Sequence, residues 1–335
     1  MKLFSNIRYL SIYKIKNLIR LKSYYNKLKR IYGDSNKLEV KLSESQTPPP
    51  SFLSFEPTNY CNLKCPACPS GSGVLTRPKG YADFDLFKKV VDENKKHLIN
   101  LVLHFQGEPL LNSDLPKMIE YARKNKVRTE LSTNANLPTE TITRIINSKP
   151  DKLIISLDGL SQETYNLYRI NGEMSRVLQT LETISNFPKK ERPLIELQFL
   201  VFRHNEHEIT EIKNIKRKYK IDITVIKSAQ IYGKDQIDLI PENLKYSRYI
   251  IDEDGNPNLK KPIHNRCKRI IFGSVITWDG KLVPCCFDKN AEFILSDVNK
   301  TPINEIRNEN AYKEFIKNVF SQRNMIEMCR NCTEG

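Results

Sequence analysis

The sequence has no run of 18 apolar residues, which excludes a conventional membrane-spanning helix. Its first residues lack the continuous apolar core of a secretory signal, so a cytoplasmic protein is expected. Acidic residues are missing from residues 1–33, where nine Lys or Arg stand unopposed. The net charge of +15 is therefore mostly a property of that arm, and the other 302 residues keep only +6. So small a balance argues against a nucleic-acid-binding body. Eight cysteines in 335 residues are too few for a disulfide scaffold. Internal repeats and low-complexity tracts are absent too. Charged residues at 28% and hydrophobic residues at 39% are ordinary for a globular chain. The length accommodates one large domain and a small one.

The cysteines are grouped: Cys61, Cys65 and Cys68, then Cys267, the adjacent Cys285 and Cys286, and Cys329 with Cys332. Such grouping reads as metal ligation in a reducing compartment. In Cys61-Asn62-Leu63-Lys64-Cys65-Pro66-Ala67-Cys68 three thiols stand at spacings of four and three, with no fourth until Cys267. Three thiolates hold three corners of an iron–sulfur cube, or three positions on zinc. The coordination position left open belongs to a reactive site rather than a structural one. Cys267, Cys285, Cys329 and Cys332, spaced 18, 44 and 3 apart, would close every position of one zinc or one cube. Cys285 and Cys286 compete for one place. Adjacent strand residues face opposite sides, so one of them ligates, and the spacing favours Cys285.

Residues 1–33 read as a basic amphipathic helix, with Ile15, Leu18, Leu21 or Tyr25, Leu28 and Tyr32 at steps of three or four. Such a helix lies on an anionic membrane surface or packs across the main domain with its charges solvated. The packed arrangement is the expectation. A mitochondrial transit peptide would also lack acids, but its Ser and Arg enrichment is weak here. Residues 33–50, ending in Pro48-Pro49-Pro50, read as a linker, so 1–50 form an arm. From residue 51 strands at 52–56, 101–105, 127–132, 153–157, 194–202 and 221–226 alternate with helices. This α/β alternation implies a parallel sheet with right-handed crossovers. Six units fit a partial, six-stranded TIM-like barrel over 51–228. Residues 229–265 read as irregular, with a turn at 254–257. A hairpin about Asp279-Gly280 and a helix over 303–319 complete a small α+β module within 229–335.

Ligands of a parallel-stranded barrel sit at the C-terminal ends of its strands. The cysteine triplet follows the first strand, Gln106-Gly107-Glu108-Pro109 the second, Ser132-Thr133-Asn134-Ala135 the third and Ser156-Leu157-Asp158-Gly159 the fourth. In these motifs the chain resembles the radical S-adenosylmethionine (SAM) superfamily, over roughly residues 52–335. The resemblance implies that Cys61, Cys65 and Cys68 hold a [4Fe–4S] cluster whose fourth iron is chelated by SAM. It places Gln106, Gly107 and Glu108 where the family's Gly-Gly-Glu meets the SAM amino group. Asn134 falls where Thr-Asn-Gly meets the ribose or methionine part, and Ser156 with Arg169 where SAM is touched from the fourth strand and the next helix. Gln106 and Ala135 each replace a Gly of those motifs. Ala67 stands where a larger residue flanks the adenine, leaving its backbone to serve. His104 reads as an interior acid or base or as a packed histidine, the latter being the expectation.

The text around Cys267, Cys285, Cys329 and Cys332 resembles SPASM and the shorter twitch auxiliary-cluster domains. Five cysteines rather than seven imply one auxiliary [4Fe–4S] cluster. The implied activity is reductive cleavage of SAM to a 5′-deoxyadenosyl radical and hydrogen abstraction, for oxidation of a small sugar-like or alcohol substrate. The alternatives are radical modification of a ribosomal peptide and a zinc-stabilised binding protein without activity. The implied partners are an electron donor such as flavodoxin or ferredoxin and a small-molecule or peptide substrate, with no nucleic acid. Seven ligand cysteines fit one three-ligand and one four-ligand cube, so anaerobically reconstituted protein should carry about eight irons. Replacing Cys61, Cys65 and Cys68 together with Ala should remove about half of them. Elemental analysis that finds zinc instead of iron would contradict both statements.

Overall fold

Short apolar runs separated by amphipathic stretches fold as their alternation demands. The computed structural model describes residues 8–33 and 46–333. Strands β1 (Phe52–Phe55), β2 (Asn100–Val102), β3 (Arg128–Thr133), β4 (Lys152–Ser156), β5 (Leu194–Val201) and β6 (Ile223–Ser228) lie parallel and in chain order. Helices return the chain between them and bury one face each, as Thr139–Asn147 does with Ile142, Ile145 and Ile146. Asp83 starts the first crossover helix, Phe84–Asn94, by accepting the Asp85 N–H at 2.6 Å. The sheet does not close, and the six parallel strands make a partial barrel.

Beyond β6 a small antiparallel pair, β7 (Tyr249–Ile251) and β8 (Pro257–Leu259), stands apart. The sequence read this region as irregular, because three-residue strands, one starting at a proline, show no alternation. Strand β9 (Gly273–Ile276) then pairs parallel to β1, and β10 (Lys281–Val283) and β11 (Ser296–Asp297) add antiparallel to it. The C-terminal module thus extends the barrel sheet to nine strands. Strand β2 is shorter than the expected 101–105. The chain leaves the sheet after Val102 and bends to Gly107, whose φ is +73°.

The inside of the sheet carries charged side chains among apolar ones such as Phe52, Val102, Leu194 and Phe272. Arg128 bonds Asn100 at 2.6 Å and Glu130 at 2.7 Å, and Lys152 pairs with Glu196 at 2.6 Å. Arg128, Glu130 and Lys152 line a cavity of about 1000 Å³ that also reaches Arg269, Cys285 and Cys286.

Helix α1 (Ile12–Gly33) crosses the N-terminal ends of the strands. Arg8 and Tyr9, just ahead of it, bond Asp151 before β4. The Lys14 ammonium donates to the Lys126 carbonyl before β3 (2.6 Å), and Asn17 donates to Ser51 before β1 (3.0 Å). Further along, Leu21, Tyr24, Tyr25 and Leu28 enter the main core, and Tyr25 meets Phe320 edge-on at 5.9 Å. The described helix of the arm is packed on the barrel, as expected. Of the expected linker, residues 34–45 lie outside the described residues. Leu28 is fully buried, so Leu28→Ala should cost about 2–5 kcal/mol in denaturant titration. An unchanged midpoint would show that α1 is not part of the cooperative core.

Candidate active site

The site is assembled around Glu56, the residue after β1. Its buried carboxylate pairs with Arg77, Nη1 lying 2.6 Å from Oε2. It also accepts the backbone N–H groups of Gln106 (3.2 Å) and Trp278 (3.1 Å). One side chain thereby joins the stretch after the cysteines, the turn after β2 and the C-terminal hairpin. Trp278 reinforces the junction by donating its indole N–H to Pro78 (3.1 Å). Glu56 and Arg77 carry no local sequence signal, since a single acid at a strand end belongs to no motif.

The cysteine loop is pinned by Lys64 N–H to the Ile170 carbonyl (3.0 Å) and Asn62 Nδ2 to the Asn136 carbonyl (2.8 Å). Cys65 is buried in a cluster with Leu63, Ala67, Tyr168 and Phe202, and Cys61 and Cys68 pack against it. Burial pushes the Cys61 thiol up to about 12 and raises Cys65 as well. Buried thiolates require positive charge beside them, which iron supplies. Arg169 supplies more, its Nη1 lying 3.8 Å from the Cys65 sulfur. Among the described residues no three His, Cys, Asp or Glu side chains converge on one ion-sized point. A cube of four irons is larger than an ion and keeps its thiolates further apart. The donor set fits such a cluster.

Arg169 follows the helix Gln162–Tyr168 and turns inward instead of lying on its surface. Asp158 holds it through Nε at 2.6 Å and Nη2 at 2.5 Å, and keeps it charged despite burial. Asp158 is itself fixed by the Leu200 N–H (2.7 Å). Ser156 is buried two residues earlier, at the end of β4. Asp158 was visible in the sequence within its motif, but nothing local marked it as the partner of Arg169.

Glu108 is fully enclosed and points back into the fold. Its carboxylate accepts the N–H groups of Asn134 (2.7 Å) and Leu110 (3.2 Å), fastening the β3 loop to the β2 turn. Burial pushes it up to about 7. Gly107 is sterically required, because a Cβ there would lie 2.5 Å from the Tyr60 carbonyl oxygen. Gln106 meets Ser70 at 3.3 Å. Asn134 reaches Asn62 at 2.8 Å and the Cys61 sulfur at 3.8 Å. Ala135 takes φ +57°, the left-handed conformation for which the motif's Gly is suited, at roughly 1–2 kcal/mol. His104, half-buried just past β2, is pushed down to about 4 by desolvation, with Glu130, Lys227 and Lys152 as its charged neighbours.

The second cysteine group lies beside β9 and β10. Cys267, Cys329 and Cys332 are buried, and Cys285 packs onto the same core as Cys267 and Cys329. Arg323 donates to the Cys332 sulfur (3.1 Å) and the Arg266 carbonyl (2.8 Å). Strand β10 ends at Val283, so Cys285 and Cys286 occupy a turn and strand alternation does not separate them. Their thiols hydrogen-bond each other, which together with burial pushes Cys285 upward. Arg269 donates to the Cys286 sulfur at 3.4 Å.

Parallel strands carrying a three-cysteine loop and polar turns at one end, with a cysteine-rich module on the same sheet, define a cluster-bearing α/β enzyme. The Radical SAM superfamily model matches residues 55–215, and the SPASM iron–sulfur cluster-binding domain matches residues 267–333. The chain belongs to the radical SAM superfamily and carries a C-terminal SPASM domain, with SAM and [4Fe–4S] clusters as its cofactors. Mycofactocin maturase MftC of Mycolicibacterium smegmatis is 28% identical over 171 residues, 51% of this chain. That match spans only 42% of the maturase. SuiB of Streptococcus suis bound to S-adenosylmethionine superposes with a TM-score of 0.63 at 15% identity, over 94% of this chain and 82% of that one. BtrN in complex with AdoMet and 2-DOIA superposes with a TM-score of 0.52 at 17% identity, over 85% and 93%. Among the described residues no helix is long and apolar enough to cross a membrane.

A carboxyl ionising near 7 when folded and near 4.5 when unfolded binds an extra proton in the native state between those values. Its contribution therefore declines as pH rises from about 4.5 to about 7. Glu108→Gln should remove a slope on the order of 3 kcal/mol across that window, read from denaturation at pH 5 and pH 7. A wild-type slope in the variant would mean that Glu108 ionises as an ordinary carboxyl.

Proposed function

We propose that this enzyme dehydrogenates a small polar substrate of the sugar or alcohol type. Cys61, Cys65 and Cys68 hold the SAM-binding cluster, and Cys267, Cys285, Cys329 and Cys332 hold one auxiliary cluster. Once bound, and reduced by a flavodoxin- or ferredoxin-like donor, the first cluster would supply the electron for reductive cleavage of SAM and, through it, hydrogen abstraction from carbon. Gly107 and Glu108 shape the turn that receives the SAM amino group, and Asn134, Ser156 and the backbone of Ala67 complete its bed. Arg169, anchored by Asp158, presents positive charge to Cys65 and to the SAM carboxylate.

The observation that carries this reading is a cavity at the first residues of the strands, mostly apolar in its lining, that sets the charged groups of Arg128, Glu130 and Lys152 across from Cys285 and Cys286. The few charged groups in it can hold the hydroxyls of a small polar substrate, and Cys285 is where an auxiliary cluster would stand to accept the substrate's second electron. An auxiliary cluster held by Cys267, Cys285, Cys329 and Cys332 would supply the one-electron acceptor that makes the net reaction an oxidation. A second reading is modification of a peptide. Edge strand β6 supports it, being partly exposed and lining the cavity through Ile223, where an extended peptide could add as a further strand. The name of the maturase agrees with that reading.

Replacing Cys329 and Cys332 with Ala, or Cys285 with Ser, should leave SAM cleavage measurable while abolishing substrate oxidation. Cys286→Ser should retain the iron of both clusters. Iron content, 5′-deoxyadenosine release and product formation check these outcomes, and normal turnover in the double variant would make the auxiliary cluster structural.

A further inference from the structure

Packing on the barrel accounts for only one face of α1. On the other face Ile12, Ile15 and Ile19 are 64%, 45% and 63% exposed. At about 100° per residue they fall in a single arc of about 60°, opposite Leu21 and Leu28. Lys16, Arg20 and Lys27 flank that arc on one side and Lys22 and Lys29 on the other, all exposed. None of these five has an acidic partner among the described residues. Isolated exposed isoleucines are ordinary. Three in one arc with cations along both borders form the pattern of a helix that lies in a lipid interface.

The surface around the helix has the same charge. Each loop entering β2 to β6 exposes a lysine: Lys96, Lys126, Lys149, Lys190 and Lys220. The helix lies at this end of the strands, through its contacts to Ser51 and the Lys126 carbonyl. The cysteine loop lies at the opposite end. A nucleic acid would use the cations and leave the isoleucines in water. A second copy of this face would set cation against cation. An anionic lipid surface satisfies both features. The helix is already folded against the core, so docking requires no ordering of it.

We infer that the base of the barrel docks on an anionic phospholipid surface, with Ile12, Ile15 and Ile19 entering the interface and the active-site end turned away from the membrane. The test is co-sedimentation of the full chain with phosphatidylcholine vesicles and with vesicles also containing phosphatidylglycerol, at low and high salt. The triple variants Ile12→Gln/Ile15→Gln/Ile19→Gln and Lys16→Gln/Lys22→Gln/Lys27→Gln accompany it. Their melting temperature and iron content should match wild type, because all six side chains are exposed. Wild type should bind only the anionic vesicles and lose binding at high salt. Each triple variant should weaken partitioning by at least about tenfold. Absence of binding to anionic vesicles overturns the inference, as does undiminished binding by the isoleucine variant. Tighter binding to duplex DNA or RNA than to vesicles, indifferent to the isoleucines, assigns the face to nucleic acid and overturns it as well.

Discussion

The buried pair of Glu56 and Arg77 is the contact on which the architecture of the site depends. Glu56 is the first residue beyond β1, where the chain leaves the sheet to form the cysteine loop. Removing two charges from water is costly, and the pair persists because the carboxylate also receives two backbone N–H groups. Loss of either partner would leave an uncompensated buried charge, worth about 3–5 kcal/mol. Those same bonds set the cysteine loop, the Gly107 turn and the C-terminal hairpin at fixed distances from one another. A binding site for a large cofactor is thus held by one carboxylate that need not touch it.

The same device recurs at both cysteine groups. Arg169 lies beside Cys65 and is held by Asp158, while Arg323 lies beside Cys332 and is held by backbone carbonyls. Where water is excluded, a guanidinium next to sulfur stabilises the thiolate form that metal binding needs. Asn62, Asn134 and Asn136 add a polar frame that fixes the loops without adding charge. Together these contacts preorganise the ligands on rigid elements.

The two ends of the strands have different duties. At their C-terminal ends, buried charges and strained turns such as Gly107 and Ala135 arrange the chemistry. At their N-terminal ends, α1 crosses the bases of β1, β3 and β4 and reaches the C-terminal helix through Phe320. The arm is therefore structural on its inner face whatever its outer face meets.

The α/β alternation, the cysteine spacings and the motifs at the strand ends were legible in the sequence because each is local. A helix repeats every 3.6 residues, a strand is a short apolar run, and a ligand loop has fixed spacing. The partial barrel and the grouping of Cys61, Cys65 and Cys68 followed from those signals. Other features needed the tertiary structure. Glu56 and Arg77 are 21 residues apart, and Glu56 meets Trp278 across 222. Strand β9 pairs with β1 across a comparable distance, and the turn geometry of Cys285 and Cys286 replaced the alternation expected of a strand. Arg169 was expected at the site, but that Asp158 is the partner holding it there was not readable from the sequence. Local periodicity reports which face of an element is apolar. Which distant polar group completes a buried pair is decided only when the elements meet, because the driving force is the removal of both groups from water at one point in space.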